Sequence, residues 1–470
     1  MIRKIKHLTV VCLGAAILGN TGCSKLIEIK PPLNETSAAL VFQSDATARA
    51  ALSGMYNTFS QSATQNTSLT VNNTLLADDV VYLGANTSAR ELAANSYTVL
   101  STISTDPFNT WYNIIYQANA IIIGMQNNTA ISAQTNRQLT AEAKLMRAYC
   151  YFSLVNIFGD IPLVLTTDAT ISAYQPKETA ANVYQQIIRD LTDAKANLLD
   201  NYAVTGQDRI GVNRFTAAAL LARVYLFTGR YAEAASNASE VIASNLYSLT
   251  PQANIGTALF VKNSAESIWQ LPPPINPTFQ YTNEAGAFIP TSYTQDNIFY
   301  RIRPEFTQLF ASTDLRRTRW MNDAIINGAT YSVPFKYKYR TQALAVAAGV
   351  TEYQVILRLA EQYLIRAEAR ARLGTDLAGA LSDLNTIRTR AGAVTTNTSV
   401  QAALLDEIAL ENRKEFFCEQ AFRWNNLRRT GQADAVLNAL KSTYRPTSKL
   451  FPIPQVALDT NPNLTQTPGY

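Results

Sequence analysis

Residues 214 to 245 carry the run RFTAAALLARVYLFTGRYAEAASNASEVIAS, which narrows the available folds more than any other stretch. Apolar and small residues recur at three- and four-residue spacing on both sides of Gly229. That pattern reads as a helix, a tight turn and a second helix. Alanines at the facing positions let the two backbones approach closely. A second pair is expected over 352 to 391, where Leu359, Tyr363 and Ala367 share one face. Gly374 makes its turn, and Ala380 and Leu384 lie on the partner helix. Glu368 precedes Arg372 by four residues, the favourable order for a helical ion pair.

Both pairs resemble tetratricopeptide helix–turn–helix units. No fixed period links the two turns, so the expectation is a mainly α scaffold of divergent tetratricopeptide-like pairs, not a regular solenoid. Further helices are expected from Asp45 through Tyr56, from Asn109 to Met125, over 138 to 158 and over 178 to 199, with loop at 60 to 75. Between 250 and 350, Pro272-Pro273-Pro274, Pro277, Pro290, Pro304 and Pro334 forbid long helices. This region reads as a loop-rich insertion with a few short strands, such as Ser267 to Leu271. The expected organisation is one domain over 45–470, with helical scaffold at 45–249 and 351–470 and the insertion at 250–350.

The N-terminal 22 residues read as a lipoprotein signal. Arg3, Lys4 and Lys6 precede the apolar run Leu8 to Leu18, which is too short to span a bilayer. Thr21-Gly22 then leads to Cys23, the expected lipid site, although Asn20 stands where a lipobox has Leu. Residues 23–44, with Pro31-Pro32, read as a tether. The single histidine, His7, falls inside the signal. The rest of the chain therefore lacks the commonest general base and metal ligand, which removes Ser–His and Cys–His catalysis and most zinc chemistry. The chain has 40 Lys and Arg against 35 Asp and Glu, and three of the basic residues lie in the signal. The near-neutral remainder has no net pull toward nucleic acid and disfavours strongly anionic polysaccharide. Cys150 and Cys418 are expected as buried thiols, with a disulfide as the alternative.

The C-terminal half carries the most specific signal. RLAEQYLIRAEARARLG (358 to 374) leads to LSDLNTIRTRAG (381 to 392), then IALENRKEFFCEQAFRWNNLRRTG (408 to 431), then LFPIPQVALDTNPNLTQTPGY (450 to 470). Upstream stand KLIEIKPP, Trp111, Tyr116, Asn119, Glu142, Arg147, Tyr151 and Phe158-Gly159-Asp160-Ile161-Pro162. In this order the motifs resemble the SusD/RagB family of outer-membrane nutrient-binding lipoproteins. Asn425-Asn426, Ala457 and Thr467 depart from the family pattern. The resemblance implies a lipid-anchored protein on the outer face of the outer membrane. Such a protein caps a SusC-type TonB-dependent transporter, and its variable loops bind an oligosaccharide or polysaccharide without bond chemistry. No cofactor is expected and no metal ligand is assigned, and whether a calcium ion orders the loops is left open. Other readings are a structural lid with little affinity of its own, a peptide-binding relative, and a carboxylate glycosidase.

A glycan site needs flat apolar faces beside paired polar groups. Two windows supply that mixture: 78 to 97, and 276 to 300 with Phe279, Tyr281, Phe288, Tyr293, Phe299 and Tyr300. The expected contacts are Asp79, Tyr82, Arg90, Tyr97, Tyr281 and Tyr293, with Trp320 as an outlying candidate beside Arg316, Arg317 and Arg319. Trp111 and Trp424 are expected in the core and Trp269 on a half-buried strand. Glu411, Glu415 and Glu419 repeat every four residues on one helix face, with Arg413, Lys414 and Arg423 nearby. They read as an ion-pair network and not as a catalytic pair, which would sit across a cleft. No P-loop, GxSxG, HExxH or EF-hand pattern is present.

Overall fold

The computed structural model describes residues 41–65, 70–273, 281–293 and 297–470. His7, Cys23 and the tether up to residue 40 lie outside the described residues, as do Asn276, Phe279, Gln280, Gln295 and Asp296. The structure is 56% helix and 8% strand, a mainly α fold.

Helices pack in an array that follows chain order. Thr105–Met125 lies against Ala133–Phe158, which packs on Ala180–Asn197; Arg214–Phe227 and Tyr231–Ala243 follow. The next layer is Leu359–Leu373, seated directly on Tyr231–Ala243, then Leu377–Ala391 and Gln401–Glu415. The two helix pairs legible in the sequence are therefore neighbours in space, although their turns, at Gly229 and Gly374, lie 145 positions apart. Each turn is made by a glycine at positive φ, +72° at Gly229 and +73° at Gly374, where any other residue would strain the backbone.

Side-chain ties between layers come from the motif residues. Arg147 donates to both carboxylate oxygens of Asp190, at 2.8 and 2.7 Å, and to Asn119 Oδ1 at 2.8 Å. Asn119 and Tyr151 both donate to the carbonyl of Val164. A buried Arg–Asp pair with every donor aimed at an acceptor is the arrangement that offsets its desolvation cost. Trp111 and Trp424 are buried, as their helical spacing predicts. Cys150 and Cys418 are both buried free thiols, whose ionisation burial opposes.

Strands occur in four two-stranded antiparallel ribbons among the described residues: β1 (Val80–Tyr82) with β5 (Tyr300–Ile302), β2 (Ile161–Pro162) with β3 (Lys177–Glu178), β4 (Ser267–Leu271) with β8 (Gln354–Arg358), and β6 (Met321–Ile326) with β7 (Ala329–Pro334). The β6–β7 hairpin turns on Asn327-Gly328, both at positive φ, the chemistry that two-residue hairpin loops require.

Three local expectations are corrected. Residues 60 to 75 are largely helical where described, because Asp45–Gln65 runs on to Gln65 and Val71–Leu76 forms a further helix. The stretch before Leu359 is strand β8 and not helix, since β4 pairs with it. Trp269 is fully buried, stacked on Phe59 at 5.3 Å, because both faces of β4 are covered.

Candidate functional site

The two loop windows meet. β1 pairs with β5 so that Tyr82 lies opposite Tyr300, and Arg303 N donates to Asp79 O one step beyond the other end of the ribbon. Paired residues point to the same side of a ribbon, and their neighbours to the other. Tyr82 and Tyr300 turn inward, half-buried, with ring centroids 5.0 Å apart and Tyr300 edge-on to buried Phe288. Leu83 and Phe299 follow in register, linked by Leu83 N donating to Phe299 O at 2.8 Å. They alternate outward and are 50% and 49% exposed. Arg90 stands beside them on the short helix Thr87–Ala94, its Nε donating to Gly84 O at 2.7 Å. The result is an exposed apolar pair flanked by a cation and backed by aromatic rings.

What holds this ribbon is the charged C-terminal motif. Arg423 donates to both oxygens of Asp78, and Arg413 bridges Asp78 and Asp79 at 2.8 Å each. Burial opposes ionisation of Asp78, but Arg423 and Arg413 outweigh it and hold its carboxyl below the usual range. Arg413 and Arg423 thus serve the ribbon and not the glutamates. The expected single helix face is corrected: the helix Gln401–Glu415 ends at Glu415, Glu419 lies beyond it and Arg423 stands on the next helix, Phe422–Arg429.

Those glutamates have other partners. Glu411 and Glu415 are fully buried and Glu419 nearly so. Arg316 donates to Glu411 at 2.5 Å and to Glu415 at 2.9 Å; Arg358 reaches Glu266, Glu415 and Glu419; Arg388 reaches Glu411. Burial works against Glu415, but Arg390, Arg358 and Arg316 together hold it far below an ordinary glutamate. The ion-pair reading stands, with its cations drawn mainly from outside the helix and Lys414, within it, 4.0 Å from Glu411.

Four expected contacts are corrected by burial. Asp79 is engaged by Arg413. Tyr97 is buried between Phe451 and Tyr470, its hydroxyl donating to Ser448 O. Tyr281 is buried, its hydroxyl accepting from Glu352 N at 2.6 Å. Trp320 is fully buried, its Nε1 donating to Ile255 O at 2.9 Å with Lys336 Nζ 4.5 Å from its ring. None has a free face for a ligand. Tyr82, Arg90 and Tyr293 keep partial or full exposure, Tyr293 resting on the small cluster of Ile298, Ile326 and Val333. The exposed pair, Phe299 and Leu83, is not among the expected contacts; Leu83 directly follows β1 and Phe299 directly precedes β5.

Tyr281 depends on Glu352, whose carboxylate accepts from Lys338 N at 2.6 Å and Tyr339 N at 3.2 Å. Burial pushes Glu352 up from 4.5 to about 7, against those hydrogen bonds and the Lys338 charge. A raised folded pKa contributes stability that is full below the unfolded value and lost as pH rises through the folded one. Between pH 4.5 and 7 the wild type should therefore lose stability relative to Glu352→Gln, by at most about 3 kcal/mol. Denaturant unfolding of both proteins at the two pH values checks this; parallel curves would refute it.

Residues 310–470 match the SusD family, and residues 28–226 match a family described as starch-binding associating with outer membrane. The matches do not overlap and together span more than half of the chain. A SusD-like protein P2 of Formosa agariphila is 27% identical, with all of both chains covered. Surface glycan-binding protein A from Bacteroides fluxus superposes with a TM-score of 0.76 at 23% identity, covering 90% of this chain and 99% of that one. A laminarin-binding SusD-like protein gives 0.75 at 22%, with the same coverage.

Proposed function

The chain belongs to the SusD/RagB family, and we propose from that premise that it is a cell-surface binding lipoprotein that captures oligosaccharide and passes it to a SusC-type TonB-dependent transporter of the outer membrane. The observation that carries the reading is the β1–β5 ribbon. It joins two distant loop windows and presents Leu83 and Phe299 outward beside Arg90. A sugar ring's C–H face stacks on an apolar or aromatic surface, and a guanidinium donates to its hydroxyls and ring oxygen. Leu83, Phe299 and Arg90 are the proposed contacts, with half-buried Tyr82 and Tyr293 as further candidates. The names of the relatives, which include laminarin binding and surface glycan binding, support the ligand class.

Cys23 is the proposed lipid site, and the proposed domain runs from 45 to 470 with the 250–350 insertion carrying half of the binding ribbon. Glu411, Glu415 and Glu419 are buried and each is locked into ion pairs, which supports a structural role for these three acids. Tagged protein purified from outer membranes should bring down a TonB-dependent barrel identified by mass spectrometry, and Cys23→Ala should shift the protein into the soluble fraction. Purification without a barrel would contradict the delivery half of the reading.

A further inference from the structure

A second opening lies where Ala133–Phe158 ends, Ala180–Asn197 begins and the C-terminal tail crosses. It is a groove of about 640 Å³, within the range of small-ligand sites. None of its lining residues belongs to the β1–β5 ribbon. Arg428 and Lys177 line it together with Asp160, Asn156 and Tyr184.

The charges there do not cancel. Arg147, Arg223, Arg316, Arg358, Arg388 and Arg390 each face a carboxylate. Arg428 does not: among the described residues its guanidinium donates only from Nη1, to the carbonyl of Asn156. Among the described residues Lys177 Nζ hydrogen-bonds only Gln466 O, at 3.3 Å, with the Asp160 carboxylate acting on it through space. Asp160, the acid of the groove, accepts from Ala180 N at 2.8 Å and so serves the first turn of a helix. A guanidinium withdrawn from water without a counter-charge is costly, and burial pulls Arg428 and Lys177 below their ordinary values.

We propose that this groove binds the carboxylate of an acidic sugar, a hexuronate. A guanidinium with two unengaged nitrogens takes a carboxylate through two parallel hydrogen bonds, and Lys177 adds charge at the rim. Tyr184, half-buried in the wall, offers an aromatic surface for the sugar ring. Near-neutral charge over the whole chain does not prevent this, because Arg428 and Lys177 outnumber Asp160 in the groove and leave its local charge positive. The inference rests on the glycan-binding reading for the sugar part of the ligand.

Galacturonate and galactose are titrated separately into the purified protein, its Arg428→Gln and Lys177→Gln variants, with a neutral oligosaccharide as third probe. Galacturonate should bind at least about tenfold more tightly than galactose, and Arg428→Gln should remove about tenfold of that affinity. Lys177→Gln, at the rim and losing only a 3.3 Å hydrogen bond to Gln466 O, should weaken galacturonate and leave the neutral probe unchanged. Equal affinity for galacturonate and galactose overturns the proposal, as does galacturonate binding unaffected by both variants. Neutral oligosaccharide binding without galacturonate binding overturns the groove alone; silence toward all three overturns the glycan-binding reading with it. A groove indifferent to galacturonate, whose variants release a co-purified protein, is a protein-docking site and also overturns it.

Discussion

Arg358→Ala is expected to lower stability by about 3–5 kcal/mol, the largest effect of any single substitution considered. Arg358 is 2% exposed and sits at the end of β8, where it binds Glu266, Glu415 and Glu419 at 2.6–2.9 Å. Its ring-stacking partner is Phe416, 4.1 Å from the guanidinium carbon. Truncation leaves three carboxylates in a dry interior with one cation fewer, and removing one partner of a buried set costs far more than the set itself contributes. The exposed pair Arg230–Glu233 provides the internal comparison: Arg230→Ala should cost under about 1 kcal/mol, because solvent screens it. Urea unfolding of the three proteins decides. A cost below about 1 kcal/mol for Arg358→Ala would mean that the acids find other cations or protonate at little expense.

Phe299→Ala is expected to weaken oligosaccharide binding by about tenfold, with Leu83→Ala smaller, and neither should change stability by more than about 1 kcal/mol. Half of the Phe299 surface is already in water, so its removal opens no cavity. Tyr281→Ala makes the opposite prediction. Tyr281 is buried and holds Glu352 N, so its loss should lower stability and affect binding only through the loop it anchors. Comparing Kd and unfolding midpoint for the three variants separates contact from support. A Phe299→Ala protein that binds as well as wild type would remove the β1–β5 face from the account.

The helical scaffold was legible because its signal is local. Gly229 and Gly374 stand where helices end, and alanine faces mark close packing, so the pairs could be read without knowing what they touch. The same logic failed at 60 to 75, where polar Ser, Thr, Asn and Gln suggested loop. The Asp45–Gln65 helix runs on through this stretch as far as Gln65, because its buried face, Leu52, Met55 and Phe59, has already fixed the helix. The Asn327-Gly328 hairpin was readable in principle from the dipeptide alone.

Site residues were harder. An aromatic in a loop window carries no mark of which way it points. Tyr97, Tyr281 and Trp320 look as exposed in sequence as Phe299 does, and only long-range neighbours, Ser448, Glu352 and Ile255, bury them. Asp79 is a further case: its partner Arg413 lies 334 residues away. The pairing of β1 with β5 brings the two windows together. The identity of the contact residues depends on strand register, which the sequence does not display in three-residue strands.

The most direct test of binding without turnover at the β1–β5 face is calorimetric titration of the purified protein with neutral oligosaccharides, including laminarin- and starch-derived chains, with the reaction mixture assayed for released reducing sugar. Saturable heat from one class, no product, and a loss of about tenfold in Phe299→Ala is the predicted result. Heat accompanied by product, or binding untouched by Phe299→Ala and by Arg90→Ala, would contradict it.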